Sequence, residues 1–485
     1  MTVRLMITTV RSIAFGTALR VRADGVEVSM PSLSIPTEHN GVIMRVLRTV
    51  LAGTAAAAMA AFGTVTVLAS PASAAPVGAQ GTYTPLAPAR ILDSRTGNGA
   101  PKQIVGQGAT VHLQVAGRGG VPASGVSAVV LNLTVTGTLG NGYLTAYPDG
   151  AARPAAASIS FGKGWTRANT ITVAVGEGGY VNIFQSSLGA HVIADVAGYY
   201  SGDEAAPVGS TYIPDEEQWR LDDTRAGGYP PLPGGSWIRY SIYFPNNPVW
   251  TSAITAFAVN VTAVNPSTTG YLTTWNGTGD PPAGVSALNY GIGGIWPNSA
   301  IVPAAPCEFC PEDPTRRMFG VYTSGTTHWL VDVIGYYFND AVDGLKFAPV
   351  TPQRILDTRT TSAIGPGSTR TVDAAAAATP ETYALSLNVT AVAPTANTYL
   401  TVWPGGPRPA VSTLNPSAGQ TISNGTTAEV NETNQFQIYN NGGSTNVVVD
   451  MGGRFEYFPS ATARGAQAGP QLNLNGKAGE SRVNR

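Results

Sequence analysis

The chain opens three similar segments with one repeated phrase: Arg90-Ile91-Leu92-Asp93-Ser94-Arg95, Arg220-Leu221-Asp222-Asp223-Thr224-Arg225 and Arg354-Ile355-Leu356-Asp357-Thr358-Arg359. Two further phrases follow in the same order in each segment. The middle phrases are Leu131-Asn132-Leu133-Thr134, Val259-Asn260-Val261-Thr262 and Leu387-Asn388-Val389-Thr390. The closing phrases are Asp195-Val196-Ala197-Gly198-Tyr199-Tyr200, Asp332-Val333-Ile334-Gly335-Tyr336-Tyr337 and Asp450-Met451-Gly452-Gly453-Arg454-Phe455. Self-similarity of this kind predicts a tandem array of one structural module.

The composition favours a turn-rich β protein over a helical one. The 485 residues include 57 Gly and 36 Pro, and only 12% of them are charged. Short runs rich in Val, Thr, Ile and Tyr are separated by Gly, Pro and Asn, which is the strand and turn spacing of a sandwich or barrel. In the first repeat we predict eight strands, near residues 89–94, 109–115, 126–136, 142–147, 156–161, 169–175, 179–184 and 190–197.

We therefore predict an all-β chain of three tandem β-sandwich modules with Greek-key or jelly-roll connections. The modules are expected at residues 83–200, 212–337 and 347–457, and the second one carries a Cys-containing insertion. A second architecture also fits three near-equal repeats, because the copies can pack around one pseudo-threefold axis.

Both ends of the chain are expected to lie outside the modules. Residues 44–74 have the pattern of a secretory signal peptide: Arg45 and Arg48 precede an Ala-rich apolar run that ends in Ala72-Ser73-Ala74. A single membrane anchor is the competing interpretation of that run. Residues 1–43 are predicted to be an artefactual or disordered leader, and residues 458–485, which are poor in bulky apolar side chains, a disordered tail. No membrane span is expected once the signal is removed.

The charge balance argues against nucleic acid as a partner. The chain has 28 Lys and Arg against 29 Asp and Glu, a net charge of −1. A surface that binds phosphate backbones needs clustered basic residues, whereas the chain has only four Lys, and six of its Arg residues stand near Asp in the repeated phrase. No nucleic-acid partner is predicted.

The acid that opens each closing phrase lies in an apolar strand, where a carboxylate is costly unless it is paired. The recurring Arg is the natural partner, so we predict that each acid meets one of the two Arg residues of its own repeat. The structural ion-pair residues are predicted to be Arg90, Asp93, Arg95 and Asp195; Arg220, Asp223, Arg225 and Asp332; and Arg354, Asp357, Arg359 and Asp450. Such pairs would join the first and last strands of each module.

Two other roles for these acids are weighed against the structural one. Asp93 and Asp195 have the residue types of a glycosidase acid and base, but one active site does not need three copies of the pair. Calcium is disfavoured by the adjacent Arg residues. His191 and His328 each precede a closing phrase, yet Asn446 replaces them in the third repeat, which argues against a general base. We predict no catalytic residues, metal or cofactor.

One face of the strand after each middle phrase is aromatic and hydroxylated. The sequences are Tyr143-Leu144-Thr145-Ala146-Tyr147, Tyr271-Leu272-Thr273-Thr274-Trp275 and Tyr399-Leu400-Thr401-Val402-Trp403. Aromatic rings flanked by Asn and Thr suit a sugar, whose apolar face stacks on a ring while polar groups bind its edges. The candidate ligand-binding residues are Tyr143, Tyr147, Tyr271, Trp275, Tyr399 and Trp403. The competing interpretation is that these rings pack in the core or between modules.

Asparagine recurs at two positions of each repeat. Asn132, Asn260 and Asn388 begin Asn-x-Thr sequences in predicted mid-strand, where we expect hydrogen bonding on the sheet face rather than glycosylation. Asn169, Asn298 and Asn424 recur later in each repeat, and a turn or bulge is the expected role.

The two cysteines, Cys307 and Cys310, lie among four prolines in the second repeat. No βαβ pattern accompanies them, which disfavours redox chemistry, and two cysteines are too few for a four-Cys zinc site. We predict a disulfide that closes a small loop in an oxidising compartment.

The phrases Arg354 to Arg359, Tyr399 to Pro404 and Asp332 to Tyr337 resemble a repeat of exported actinobacterial proteins, found in arrays or beside other extracellular domains. The resemblance covers nearly all of residues 83–457 and implies a secreted or cell-surface location more than an activity. This chain departs from the pattern at Asp222, at the Cys-containing insertion and at Arg454.

These features predict a secreted, non-enzymatic extracellular or cell-envelope binding protein whose partner is a cell-wall or extracellular glycan. One alternative is a structural spacer or assembly protein of the cell surface. The other is a secreted glycan hydrolase, which requires two facing carboxylates in a groove. The sequence leaves the oligomeric state open.

Overall fold

The computed structural model describes residues 20–23, 26–29, 78–458 and 479–484. The chain divides into two compact units, Met1–Thr64 and Val65–Arg485. In the first unit, strands β1 (Arg20–Ala23) and β2 (Val26–Ser29) pair antiparallel, so part of the predicted leader is a hairpin. The predicted signal peptide lies outside the described residues.

The first repeat is built entirely of strands and turns, apart from a single 3₁₀ turn at Glu177–Gly179. Its strands are β3 (Tyr83–Asp93), β4 (Val105–Gly106), β5 (Thr110–Gln114), β6 (Val126–Thr136), β7 (Gly142–Pro148), β8 (Ile159–Phe161), β9 (Arg167–Ala174), β10 (Tyr180–Gln185) and β11 (Gly189–Ser201). Strands occur at all eight predicted positions, because period-two alternation and Gly-rich turns mark strands locally.

The second repeat contains strands β12 (Thr211–Asp223), β13 (Trp237–Tyr243), β14 (Ile254–Val264), β15 (Gly270–Trp275), β16 (Leu288–Tyr290), β17 (Ile295–Pro303), β18 (Ala305–Pro306), β19 (Arg317–Thr323) and β20 (His328–Phe338). It also has one short helix, α1 (Pro248–Ala253), which Asn247 caps by accepting a hydrogen bond from the Trp250 N–H. A 3₁₀ turn spans Ala226–Gly228.

The third repeat contains strands β21 (Lys346–Asp357), β22 (Ser368–Asp373), β23 (Thr382–Val392), β24 (Leu400–Trp403), β25 (Thr421–Glu429), β26 (Gln435–Asn440) and β27 (Asn446–Glu456), with a 3₁₀ turn at Thr358–Thr360. Strand β28 (Gly479–Asn484) follows near the end of the chain.

Each repeat forms two antiparallel sheets, and the first has the same strand order in all three. The opening-phrase strand pairs with the closing-phrase strand, which pairs with the middle-phrase strand, and the strand with the later Asn completes the sheet. These first sheets are β3-β11-β6-β9, β12-β20-β14-β17 and β21-β27-β23-β25. The second sheets are β5-β10-β7-β8, β16-β15-β19-β13-β28 and β22-β26-β24.

Apolar side chains from both sheets of a repeat share one core. In the first repeat Leu131 and Leu133 of β6 are fully buried in a cluster that also contains Leu144 of β7 and Ile183 of β10. The core of the second repeat extends further, because it includes Tyr83 of the first repeat and Phe455 of the third. The predicted all-β fold is confirmed.

The three repeats are not separate tandem sandwiches. Within residues 78–484, six antiparallel sheets form a propeller-like ring in one compact unit. The physical reason is the polar face of each first sheet, which carries the Asn and Thr ladder and is covered by the next repeat rather than by water. The arrangement corresponds to the pseudo-threefold packing that the sequence left as the second architecture.

One strand is described near the end of the chain, within the segment that was predicted to be a disordered tail. Strand β28 pairs with the edge of β13, with Gly479 opposite Tyr243 and Asn484 opposite Ile238. Backbone pairing to an open sheet edge requires no bulky side chains, so a segment poor in apolar residues can still add to a sheet. Within the described residues, no helix combines the length and apolar character needed to cross a membrane.

Candidate functional site

The acid of each closing phrase accepts two hydrogen bonds from the first Arg of its own repeat. Arg90 Nε lies 2.9 Å from Asp195 Oδ1, and its Nη2 lies 3.1 Å from Oδ2. The equivalent distances are 2.7 and 3.2 Å for Arg220 and Asp332, and 2.9 and 3.2 Å for Arg354 and Asp450. The sequence left two Arg partners open for each acid, and the structure places the first one there.

The second Arg of each opening phrase binds the acid two residues before it. Arg95 donates to both carboxylate oxygens of Asp93, at 2.9 and 2.7 Å, and its backbone N–H also donates to Oδ1. Asp223 with Arg225 and Asp357 with Arg359 repeat this geometry. The side-chain hydrogen bond from Arg359 lowers the pKa of Asp357 to about 2, and the pKa values of Asp93 and Asp223 are lowered by the same contact.

Burial has the opposite effect on the closing acids. Desolvation raises the pKa of Asp332 to about 6, although the hydrogen bonds from Arg220 act against the shift. The pKa values of Asp195 and Asp450 are raised for the same reason. Only 1–3% of these three carboxylate side chains is exposed. Each closing carboxylate is therefore buried and bound to a guanidinium group. A carboxylate in this position is poorly placed for acid-base chemistry on a substrate.

The Ser or Thr of the opening phrase explains why His and Asn interchange before the closing phrase. Ser94 Oγ lies 3.0 Å from His191 Nδ1 and accepts a hydrogen bond from the Val192 backbone N–H. Thr224 makes the same contacts with His328, and Thr358 with Asn446. The position needs a side chain that can hydrogen-bond to a hydroxyl group, which both residue types supply.

Two departures from the repeat pattern have local partners. Asp222 accepts a hydrogen bond of 2.7 Å from the Tyr240 hydroxyl, which in turn accepts one from the Trp329 indole N–H at 2.8 Å. Arg454 lies 2.7 Å from Glu456 Oε1. These polar substitutions are therefore accommodated within their own repeats.

Six buried asparagines join the three repeats where they meet. At the contact of the first and second repeats, Asn298 Nδ2 donates to Asn132 Oδ1 at 3.1 Å and also to the Ala287 carbonyl. Asn298 Oδ1 accepts from the Thr170 N–H at 3.0 Å. Asn132 in turn donates to the Ser286 carbonyl. Every side-chain polar atom of this pair therefore has a partner, as buried amides require.

The other two contacts repeat this arrangement. Asn424 donates to Asn260 and Asn169 donates to Asn388, at 3.0 and 2.9 Å. Asn260 and Asn388 donate to the carbonyls of Ser412 and Ala157. We call these six residues, Asn132, Asn169, Asn260, Asn298, Asn388 and Asn424, the asparagine ring.

The asparagine ring corrects the turn or bulge role expected for the later asparagines. Asn169, Asn298 and Asn424 lie within strands β9, β17 and β25 and are at most 1% exposed. Sequence reasoning treated Asn as a turn residue, although its recurrence at one position of three strands was the available signal. Asn132, Asn260 and Asn388 do hydrogen-bond from the sheet face, but to a neighbouring repeat.

A closed circuit of aromatic side chains also joins the three repeats. Each repeat contributes the aromatic residue near the start of its first strand and the one near the end of its closing phrase. Adjacent ring centroids lie 4.4–5.0 Å apart around the closed circuit Tyr83, Tyr337, Tyr212, Phe455, Phe347 and Tyr200. The hydroxyl groups of Tyr200 and Tyr337 lie 2.6 Å apart. We call these six residues the aromatic circuit.

The structure separates the six predicted ligand-binding rings into two groups. Tyr147, Trp275 and Trp403 are buried, with 7%, 4% and 6% of each residue exposed. The assignment of these three as ligand-stacking residues is therefore corrected, because a ring with both faces covered cannot stack on a sugar. Tyr143 is 40% exposed, and Tyr271 and Tyr399 are partly exposed.

A groove of about 810 Å³ lies between the first and third repeats. The first repeat contributes Tyr143, Lys163 and Trp165, and the third contributes Arg354, Arg359 and Thr390. Arg354 Nη2 donates to the Ala155 carbonyl at 2.8 Å, and the Ala157 N–H donates to Asp450 at 2.9 Å. The ion pair of Arg354 and Asp450 therefore also holds one wall of the groove in place. A much smaller cavity of about 70 Å³ lies where all three repeats meet.

Cys307 and Cys310 form a disulfide and pack with Ala305 and Met318 in a small cluster of the second repeat. Among the residues that the structure describes, no group of three His, Cys, Asp or Glu side chains is placed to hold a metal ion.

No protein-family model and no curated protein matches the chain. A chain from the atomic structure of Sulfolobus Turreted Icosahedral Virus is 10% identical, with a TM-score of 0.16 over 78% of this chain and 92% of that one. A chain from a study of the triple jelly roll fold and turret assembly in an archaeal virus is 10% identical, with a TM-score of 0.15 over 78% and 90%.

Proposed function

We propose that this protein is an exported, non-enzymatic structural or assembly protein of the cell surface. The observation that carries the proposal is the asparagine ring, which joins three repeats into one body through buried, fully paired amides. Buried polar networks of this kind fix one arrangement of the parts they join. A body built in this way suits a rigid spacer or building block.

The distribution of cavities supports a structural role over catalysis. The six acids that a hydrolase would draw on are each bound by an Arg, and the closing acids are almost completely buried. The cavity where the repeats meet, at about 70 Å³, is too small for a saccharide, since ligand pockets usually measure about 300–1,000 Å³. The groove between the first and third repeats, at about 810 Å³, is large enough, but no Asp or Glu is among the described residues that line it.

The export part of the proposal rests on the sequence of residues 44–74 and is tested by cell fractionation. The full chain and a variant lacking residues 44–74 are expressed in an actinobacterial host, and each fraction is probed for the protein. We expect the full chain in the envelope or the medium, with a mature N-terminus at Ala75, and the variant inside the cell. Recovery of the uncleaved full chain from the cytoplasm would contradict export.

The non-enzymatic part is tested by incubating the mature protein with a panel of cell-wall and extracellular polysaccharides. We expect no release of new reducing ends. Release that disappears in an Asp93→Asn variant would favour the hydrolase instead, since that acid is the candidate catalytic residue of the alternative.

A further inference from the structure

We propose that the groove between the first and third repeats binds an anionic saccharide chain, with the acid group at Lys163 and a sugar ring against Tyr143. This goes beyond the structural role, because it assigns a ligand-binding site to one of the three contacts between repeats. The uronates and the phosphate-linked glycans share the required chemistry, a sugar-like chain with regular negative charge.

The charge of the groove favours an anion. Lys163 is exposed and, among the described residues, has no salt-bridge partner. Arg359, with 48% of its side chain exposed, adds a second cation, although it is paired with Asp357. No Asp or Glu is among the described residues that line the groove. An uncompensated cation in a concave surface attracts anionic ligands.

The groove also provides an aromatic wall of the kind that sugars use. Tyr143 is 40% exposed, and Trp165, which also lines the groove, is partly exposed. The turn that carries Lys163 and Trp165 is held in place from the first repeat: Thr138 accepts from the Trp165 N–H at 2.8 Å, and Asn141 accepts from the Lys163 N–H at 2.9 Å. A site fixed before binding loses less entropy when the ligand arrives.

The site is specific to one of the three contacts because the repeats differ at this turn. The position of Lys163 is occupied by Ile292 in the second repeat and by Ala418 in the third, and that of Trp165 by Gly294 and Gln420. The asparagines that follow, Asn169, Asn298 and Asn424, fix this alignment. Only the first repeat therefore presents a cation and an indole ring together.

Binding is measured by calorimetry on the mature protein with three probes: an oligogalacturonate, a hexose polymer joined by phosphodiesters, and a neutral galactan oligosaccharide. The variants are Lys163→Ala and Tyr143→Ala, with Ile292→Ala and Tyr271→Ala as matched controls at the equivalent positions. We expect an anionic probe to bind, more weakly at high salt, and Lys163→Ala to reduce affinity by about threefold to fivefold. The control variants should bind like the unmodified protein.

The outcomes separate the possibilities. Binding of the uronate supports a uronic-acid polysaccharide, and binding of the phosphate polymer supports a phosphate-linked cell-wall glycan. Equal binding of the neutral oligosaccharide, equal loss in Lys163→Ala and Ile292→Ala, or no binding of either anionic probe would overturn the proposal.

Discussion

Single residues in the asparagine ring have large effects because each amide serves two repeats. Asn298 satisfies a backbone N–H, a carbonyl and another side chain at once. A Thr or Ser at this position could not reach all three partners, since an amide has two donors and an acceptor at fixed spacing. This explains why the same residue type recurs at both positions of every repeat.

Substitution of Asn298 by Ala should destabilise the whole protein. The change takes the Asn298 amide away from the buried Thr170 N–H and Ala287 carbonyl, and Asn132 Oδ1 keeps only the 3.5 Å hydrogen bond from Thr170 Oγ1. Each buried group left without a partner costs about 1–3 kcal/mol. We expect the free energy of unfolding, measured with denaturant, to fall by about 3 kcal/mol. Asn246→Ala, at an exposed loop position, is the control. Equal stability of both variants would show that the ring contributes little.

Two acids of the repeated phrases, Asp332 and Asp357, should titrate at pH values that lie far apart. The pKa of Asp332, about 6 because of burial, lies above the ordinary value of 3.8, so its stabilising contribution is present below pH 4 and is lost as the pH rises through 6. Asp357, with a pKa of about 2, has the opposite sign: its contribution is present above pH 4 and is lost as the pH falls towards 2.

These two values can be read from a carbon-13 titration of the Asp carboxyl groups, with Asp332→Asn and Asp357→Asn used for assignment. A midpoint for Asp332 at or below 4 would mean that Arg220 outweighs burial at this site.

At the scale of elements, the bidentate ion pairs join the first and last strands of each repeat. Arg90→Ala leaves Asp195 charged and buried, and we expect the free energy of unfolding to fall by about 3–5 kcal/mol. Arg225→Ala removes a pair whose Arg side chain is 45% exposed, and such exposed pairs contribute about 0–1 kcal/mol. Denaturant unfolding of the two variants checks the difference. Similar losses of unfolding free energy in the two variants would show that the buried pair of Arg90 and Asp195 does not hold the first and last strands together.

The tail strand has a separate effect on the edge of the second repeat. Removal of residues 476–485 takes β28 away from β13 and leaves the β13 edge without its backbone partner. We expect faster hydrogen–deuterium exchange in peptides covering Trp237–Tyr243, and unchanged exchange at the edge strands β5 and β22. Unchanged exchange at β13 would mean that the tail strand does not pair there in solution.

At the scale of the whole molecule, the asparagine ring and the aromatic circuit make the repeats interdependent. A protease site inserted between Ala205 and Ala206, in the exposed linker after the first repeat, should leave the cleaved fragments associated. The asparagine ring and the aromatic circuit both contain residues from each side of that cleavage site. Gel filtration should show one peak in buffer and two in denaturant. Separation of the fragments in buffer would show that the repeats are independent modules.

Much of the fold was predictable from the sequence because its signals are local. The strands follow from period-two alternation and Gly-rich turns, and the buried acid of Asp195 implies a nearby base because an unpaired charge inside an apolar strand is costly. The choice of Arg90 over Arg95 was not predictable, since it depends on which guanidinium the strand register brings opposite.

The sequence by itself therefore determined an all-β chain, the positions of its strands and the acids that need a partner. The tertiary structure alone decided that the repeats close into a ring, that Trp275 and Trp403 are buried, and that Asn298 crosses to another repeat. Alternation identifies which side of a strand a residue faces, but a polar face fits water and the polar edge of a neighbouring repeat equally well. Only the packing of the three repeats determines which of the two covers it.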